Sequence, residues 1–119
     1  GEFFKLFGVE PTEISVPEMA KKYNVVILSK GEVDIVSSPA GESCLVSGGN
    51  AGMTKGGTGD VLAGLTAALY SKNDAYLSAC AASYINKKAG ESLEKSMGLY
   101  FNASDLSDEI PKVMKNLLS

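Results

Sequence analysis

"NAGMTKGGTGDVLAG", Asn50 to Gly64, sets Gly52, Gly56, Gly57 and Gly59 ahead of an apolar run and places Asp60 at the join. The first N–H groups of a helix lack intrahelical partners and lie at the positive end of its dipole. Glycines crowded against a helix start therefore make a ready anion site. Gly56, Gly57 and Gly59 let the backbone turn sharply and approach a ligand with no Cβ in the way. Neither common phosphate motif fits. No Gly-Lys-Ser/Thr closes a P-loop, and Leu62 stands where the dinucleotide fingerprint needs its third glycine. In the first turn Asp60 stabilises the helix by about 0.3–1 kcal/mol through the dipole. A carboxylate also repels a bound phosphate, so a pure phosphate cradle would avoid it. Both features are needed if Asp60 is a general base that takes a proton from a hydroxyl while backbone amides stabilise charge on a transferring phosphoryl group.

Outward from this loop the pattern is α/β. "DVLAGLTAALYSK" after the glycines reads as a helix buried on nearly every side, rich in small residues. A long helix follows from the N-cap Asp74, with Leu77, Cys80, Ala81 and Tyr84 on its apolar side. The tail carries an N-cap at Ser104 and Pro111 inside its pattern, which predicts a kink or two short helices meeting near Ile110. On the N-terminal side, "VVILSK", Val25 to Lys30, has the length and β-branching of a buried, parallel strand. "DIVSSP" and "SCLVSG" flank a turn at Gly41, predicting strands 34–38 and 43–47 as an antiparallel flap or sheet edge. A helix over Glu2–Phe7 stops at Gly8. A second starts near Val16 with Ser15 as N-cap and Glu18 completing a capping box. Only one strand reads as central, so the sheet calls for partners beyond this sequence.

With 119 residues, 45% of them hydrophobic, the chain can bury a core, hiding roughly two-thirds of its unfolded surface. The net charge is −3 and the lysines form no stripe, which argues against a nucleic-acid partner. No apolar run reaches the ~20 residues of a membrane span. The lack of histidine removes Ser-His-Asp and Cys-His catalysis and the usual zinc sites within the chain. Cys44 and Cys80 read as reduced structural thiols of a cytoplasmic protein.

"GNAGMTKGGTGDVLAGLTAALYS" resembles the signature of the ADP/ATP-dependent NAD(P)H-hydrate dehydratases, a branch of the ribokinase-like superfamily. "GEFFKLFG", "VVILSKGEVDIVSSPAGE", "ASYINKKAGE" and "NASDLSDEIPKVMKNL" extend the likeness along essentially the whole chain. The resemblance implies the C-terminal half, residues 1–119, of a single domain with a ribokinase-like three-layer fold. It implies that Lys30, Gly31, Glu32, Val33 and Asp34 contact the nucleotide. Asn50, Ala51, Gly52, Met53, Thr54, Lys55, Gly56, Gly57, Thr58 and Gly59 would form the loop around its phosphates. Asp60 matches the aspartate that binds the hydrated nicotinamide nucleotide and acts as base.

The implied reaction is repair: ADP or ATP phosphorylates the hydroxyl of NAD(P)H hydrate, and elimination of phosphate restores NAD(P)H. Mg²⁺ is expected with the nucleotide phosphates. The family's Thr-Pro-His and the segment before it, with most of the sheet, do not occur in this sequence, so the missing N-terminal half is an expected partner. Assembly as a homo-oligomer is implied by resemblance alone. Ala51 replaces the common proline, and Lys55 stands where a small or apolar residue is usual, free to contact phosphate or, as the favoured reading, to point to solvent. Two alternatives remain: a small-alcohol or vitamin-precursor kinase of the same superfamily, and a non-catalytic nucleotide-binding fragment.

Overall fold

In the computed structural model, which describes residues 1–118, the order is α1 (Glu2–Phe7), α2 (Ser15–Tyr23), β1 (Ile27–Ser29), β2 (Asp34–Ser37) and β3 (Ser43–Val46). A 3-10 turn (Ala51–Thr54), α3 (Thr58–Tyr70), α4 (Ala75–Met97) and α5 (Ala103–Leu118) follow. The strands form one antiparallel sheet in the order β1-β2-β3. The apolar run at Val25 was expected to be a parallel strand. It pairs only over Ile27–Ser29, and antiparallel to β2. The turn 30–33 is far too short for the crossover that parallel neighbours require.

The expected antiparallel pair forms as β2 and β3, with β3 at the edge of the sheet, while β2 lies in its middle with every residue buried. Because successive strand residues point to opposite faces, Ile35 enters a cluster with Phe3 and Val16 from α1 and α2. Asp34 turns to the other face and meets Ser83 of α4. A second core joins Met53, Ala89, Leu93, Phe101, Leu106, Ile110 and Val113, linking the loop to α4 and α5. Helices thus cover both faces of the sheet, and the α/β reading holds.

The ends of the elements show which local signals were read correctly. Gly8 stops α1 in left-handed geometry (φ 73°), its N–H donating to Phe4 O. Asp74 caps α4 by accepting from Leu77 N at 2.8 Å. The capping box of α2 lies one turn earlier than expected. Thr12 Oγ1 accepts from Ser15 N at 2.9 Å, and Ser15 Oγ accepts from Thr12 N at 2.8 Å. Ser15 fills the reciprocating position because Val16 N already bonds Thr12 O. Likewise Asn102, not Ser104, caps α5: it exchanges bonds with Asp105 at 2.9 and 3.0 Å. The helix continues through Pro111 as one element. Pro111 is exposed while Ile110 and Val113 are buried beside it, so core packing offsets the missing bond.

Two helices bury other faces than their hydrophobicity suggested. In α3 only Thr58 and Leu62 are buried, and Ala63, Gly64, Ala67 and Ala68 face outward. The described chain supplies α4 and α5 to one side of that helix only. In α4, Leu77 and Tyr84 are exposed. The buried stripe is Ser78, Ala79, Ala82, Ser83, Asn86, Lys87, Ala89, Gly90 and Leu93. Small side chains let α4 approach the sheet and loop closely, where Ser83 and Lys87 meet buried polar groups.

Candidate functional site

Two segments converge on α4: the turn after β1 and the glycine loop after β3. Within the turn, Gly31 N donates to Asp34 Oδ1 at 2.9 Å. Asp34 is 2% exposed, and its other oxygen accepts from Ser83 Oγ at 2.7 Å. Lys87 Nζ lies 3.4 Å from Asp34 Oδ1 and donates to Gly31 O (3.1 Å), Glu32 O (3.2 Å) and Gly48 O (3.4 Å). One buried ammonium therefore joins the turn to the start of the loop. Burying such a charge is tolerable only when it is paired and hydrogen-bonded.

Lys87 and Ser83 are not among the residues the sequence singles out. The signal was present in the small residues Ala79, Ala82, Ser83 and Gly90, spaced three and four apart around Lys87.

The loop is knitted from within. Gly48 (φ 108°) and Gly49 (φ 75°) turn the chain out of β3. Asn50 Oδ1 accepts from Gly52 N at 3.0 Å, while its amide donates to Gly90 O at 2.8 Å. Gly49 N donates to Glu91 Oε2 at 3.3 Å. Met53 is buried beneath the loop, against Gly49 and Gly90. Thr58 Oγ1 lies 2.7 Å from both Met53 O and Lys55 O. Lys30 Nζ reaches Thr58 Oγ1 and Met53 O, each at 3.4 Å, bridging the turn to the start of α3.

Lys55 neither points freely to solvent nor faces the glycines. Its Nζ donates to Leu99 O and Phe101 O, each at 2.5 Å, and lies 5.2 Å from the centre of the Phe101 ring. That ring also limits the loop from below, because a Cβ on Gly52 would sit 2.8 Å from two of its carbons. Phe101 is fully buried and cannot yield. Gly52→Ala is expected to cost about 1–3 kcal/mol by overpacking, read as a lowered midpoint in denaturant unfolding.

The side chains of Asn50, Met53, Lys55, Thr58 and Asp34 are thus engaged with the protein, and what the loop presents outward is backbone. Gly57 enters α3 with φ 87°. A Cβ at Gly56 or Gly59 would meet nothing within 4 Å. The amides of Gly56, Gly57, Gly59 and Asp60 find no acceptor among the described residues. Gly31, Glu32, Val33, Ala51 and Thr54 are exposed near this cradle. Asp60 is exposed in the first turn of α3. It edges an open groove of about 400 Å³, with Val61, Gly64, Leu65, Ser107, Ile110 and Pro111. A row of free amides with one carboxylate beside it suits charge stabilisation next to proton transfer.

Known proteins resemble this chain in sequence and fold. The chain is 43% identical over 122 residues to the ADP-dependent (S)-NAD(P)H-hydrate dehydratase of Nitrosopumilus maritimus, a match covering 97% of this chain and 42% of that protein. It is 49% identical over 89 residues to the bifunctional NAD(P)H-hydrate repair enzyme of Methanocaldococcus jannaschii, covering 75% of this chain and 18% of that one. The chain spans less than half the length of these curated relatives. Among solved structures, the ADP/ATP-dependent NAD(P)H-hydrate dehydratase of Bacillus subtilis, co-crystallised with ATP/Mg²⁺, superposes with a TM-score of 0.88 at 30% identity. That match covers 98% of this chain and 45% of the other. A ribokinase-like superfamily protein of Enterococcus faecalis gives a TM-score of 0.83 at 27% identity, covering 97% and 41%. Residues 1–112 match the NAD(P)H-hydrate dehydratase family, and the chain belongs to it.

Proposed function

We propose that this chain is the C-terminal part of a single ribokinase-like domain that restores NAD(P)H from its hydrate at the expense of ADP or ATP. The observation that carries the reading is the row of acceptor-free amides running into α3, with Asp60 beside it. The turn 30–34 and the loop 50–59 hold the nucleotide, and the Gly56, Gly57 and Gly59 amides face its phosphates. Asp60 binds the hydrated nicotinamide nucleotide and takes the proton from its hydroxyl as that oxygen attacks the transferring phosphoryl group. Elimination of phosphate from the phosphorylated intermediate then regenerates the double bond.

No group of three or more metal-ligating side chains exists among the described residues. Mg²⁺ fits this site as an ion carried in on nucleotide phosphates, its usual manner of binding, and it neutralises phosphate charge there.

The rest of the protein supplies the remaining sheet and much of the substrate pocket. The outer edge of β1, unpaired among the described residues, and the outward small residues of α3 are where that part docks. Among the described residues no helix is long and apolar enough to cross a membrane. Assembly into a homo-oligomer is part of the same reading.

The test is product analysis on the complete protein with NADH or NADPH hydrate, ADP or ATP, and Mg²⁺. Recovery of NAD(P)H absorbance with release of inorganic phosphate is expected. A stable phosphorylated alcohol would instead assign a kinase of the same fold, and binding of ADP or ATP with no turnover would leave a non-catalytic nucleotide-binding protein.

A further inference from the structure

Cys44 and Cys80, far apart in sequence, meet in the fold. Cys44 pairs with Val36 across β2 and β3, so it shares the sheet face that Asp34 turns toward α4. Cys80 lies one turn before Ser83 on α4, and the two sulfurs stand 2.7 Å apart. Both residues are partly exposed, so a small oxidant can reach them. The sequence reading treated each as an isolated thiol, and neither takes part in the chemistry proposed above.

We propose that Cys44 and Cys80 are an oxidisable dithiol that closes to an intramolecular disulfide on contact with a hydroperoxide, stapling β3 to α4. The thiolate of Cys44 attacks the peroxide, whose O–O bond breaks, giving a sulfenic acid and the alkoxide, or hydroxide when the peroxide is hydrogen peroxide. The Cys80 thiol then displaces water from that sulfenic acid as the S–S bond forms. Overall two thiols lose two hydrogens and one hydroperoxide is reduced to water and its alcohol, or to two waters for hydrogen peroxide. Closure asks little of the backbone, because β3 and α4 are already packed together. The staple falls on the stripe of α4 that carries Ser83, Lys87 and Gly90. It therefore reinforces the element from which turn and loop both hang.

Burial, with the hydrogen bond to Cys44, pushes the Cys80 thiol up to about 12. The Tyr76 phenol and the Glu42 carboxylate are the other titratable groups beside it. A Cys80 thiol held protonated resolves the sulfenic acid slowly at neutral pH, so closure should quicken as pH rises.

The experiment treats the complete protein with hydrogen peroxide, alkylates any free thiol, and maps the peptides by mass spectrometry before and after dithiothreitol. A Cys44–Cys80 cross-linked peptide is expected, lighter by about 2 Da than the two reduced peptides together. The thermal midpoint should rise by about 5–10 °C and return on reduction. Cys44→Ser and, separately, Cys80→Ala should abolish both the cross-link and the shift. Independent alkylation or over-oxidation of the two cysteines, or cross-links only between molecules, would overturn the proposal. So would a cross-link that leaves the midpoint unmoved.

Discussion

Replacing Lys87 with methionine is expected to destabilise the protein by about 3–5 kcal/mol, the usual result of removing one member of a buried ion pair. The cost comes less from the 3.4 Å contact itself than from what remains: Asp34, 2% exposed, left without its cationic partner and with only Ser83 Oγ and Gly31 N to satisfy it. The carbonyls of Gly31, Glu32 and Gly48 lose a donor in the same step. Denaturant unfolding measures the loss. The double variant Lys87→Met, Asp34→Val removes both charges and should regain at least half of it, because no uncompensated carboxylate is left buried. A single variant as stable as wild type would show that the pair does not hold the turn. With the turn released, ADP and ATP should also bind more weakly to the double variant, although its stability has recovered.

Asp60→Asn in the complete enzyme is expected to lower turnover by about 10²–10⁴-fold, the range of a lost general base, while nucleotide binding persists. The asparagine is nearly isosteric and leaves the loop amides in place, so the phosphate cradle survives. Removing the carboxylate also removes its repulsion of phosphate, so nucleotide affinity should be unchanged or tighter. Stability should fall by no more than about 0.3–1 kcal/mol, the helix-dipole contribution of a first-turn acid. Single-turnover kinetics with calorimetric titration of ADP or ATP separates the two effects. Near-normal turnover would sink the base assignment, and loss of nucleotide binding would move Asp60 from proton transfer to binding.

The loop and its catalytic candidate were legible because their logic is local: glycines before a helix and an acid in its first turn need only the chain's own geometry. Caps at Gly8 and Asp74 were legible for the same reason. The scaffold behind the loop was not. Asp34 read as a nucleotide contact by family likeness, yet its carboxylate is buried against Ser83 and Lys87. Their positions along the chain give no hint that the three meet. The side-chain partners of Lys55, Leu99 O and Phe101 O, were not legible because they are backbone atoms carried by the connection between α4 and α5. The direction of β1 was hidden because a short apolar run has no period that distinguishes parallel from antiparallel pairing. Hydrophobicity misjudged the inner face of α4 because that face is built for close approach and polar contact.

The position of Lys87 also bears on the order in which the molecule assembles. Its bonds to Gly31 and Glu32 close chain separations of 56 and 55 residues, and that to Gly48 one of 39. Contacts so distant must await the loop-closure entropy that nearer ones do not meet, and they slow folding. The anion cradle should therefore take shape late, after the hairpin and the helices have formed around it. In the native protein the Gly31 and Gly52 amides, bonded within this late-forming region, are then suited to report by hydrogen exchange on the opening of the turn and loop.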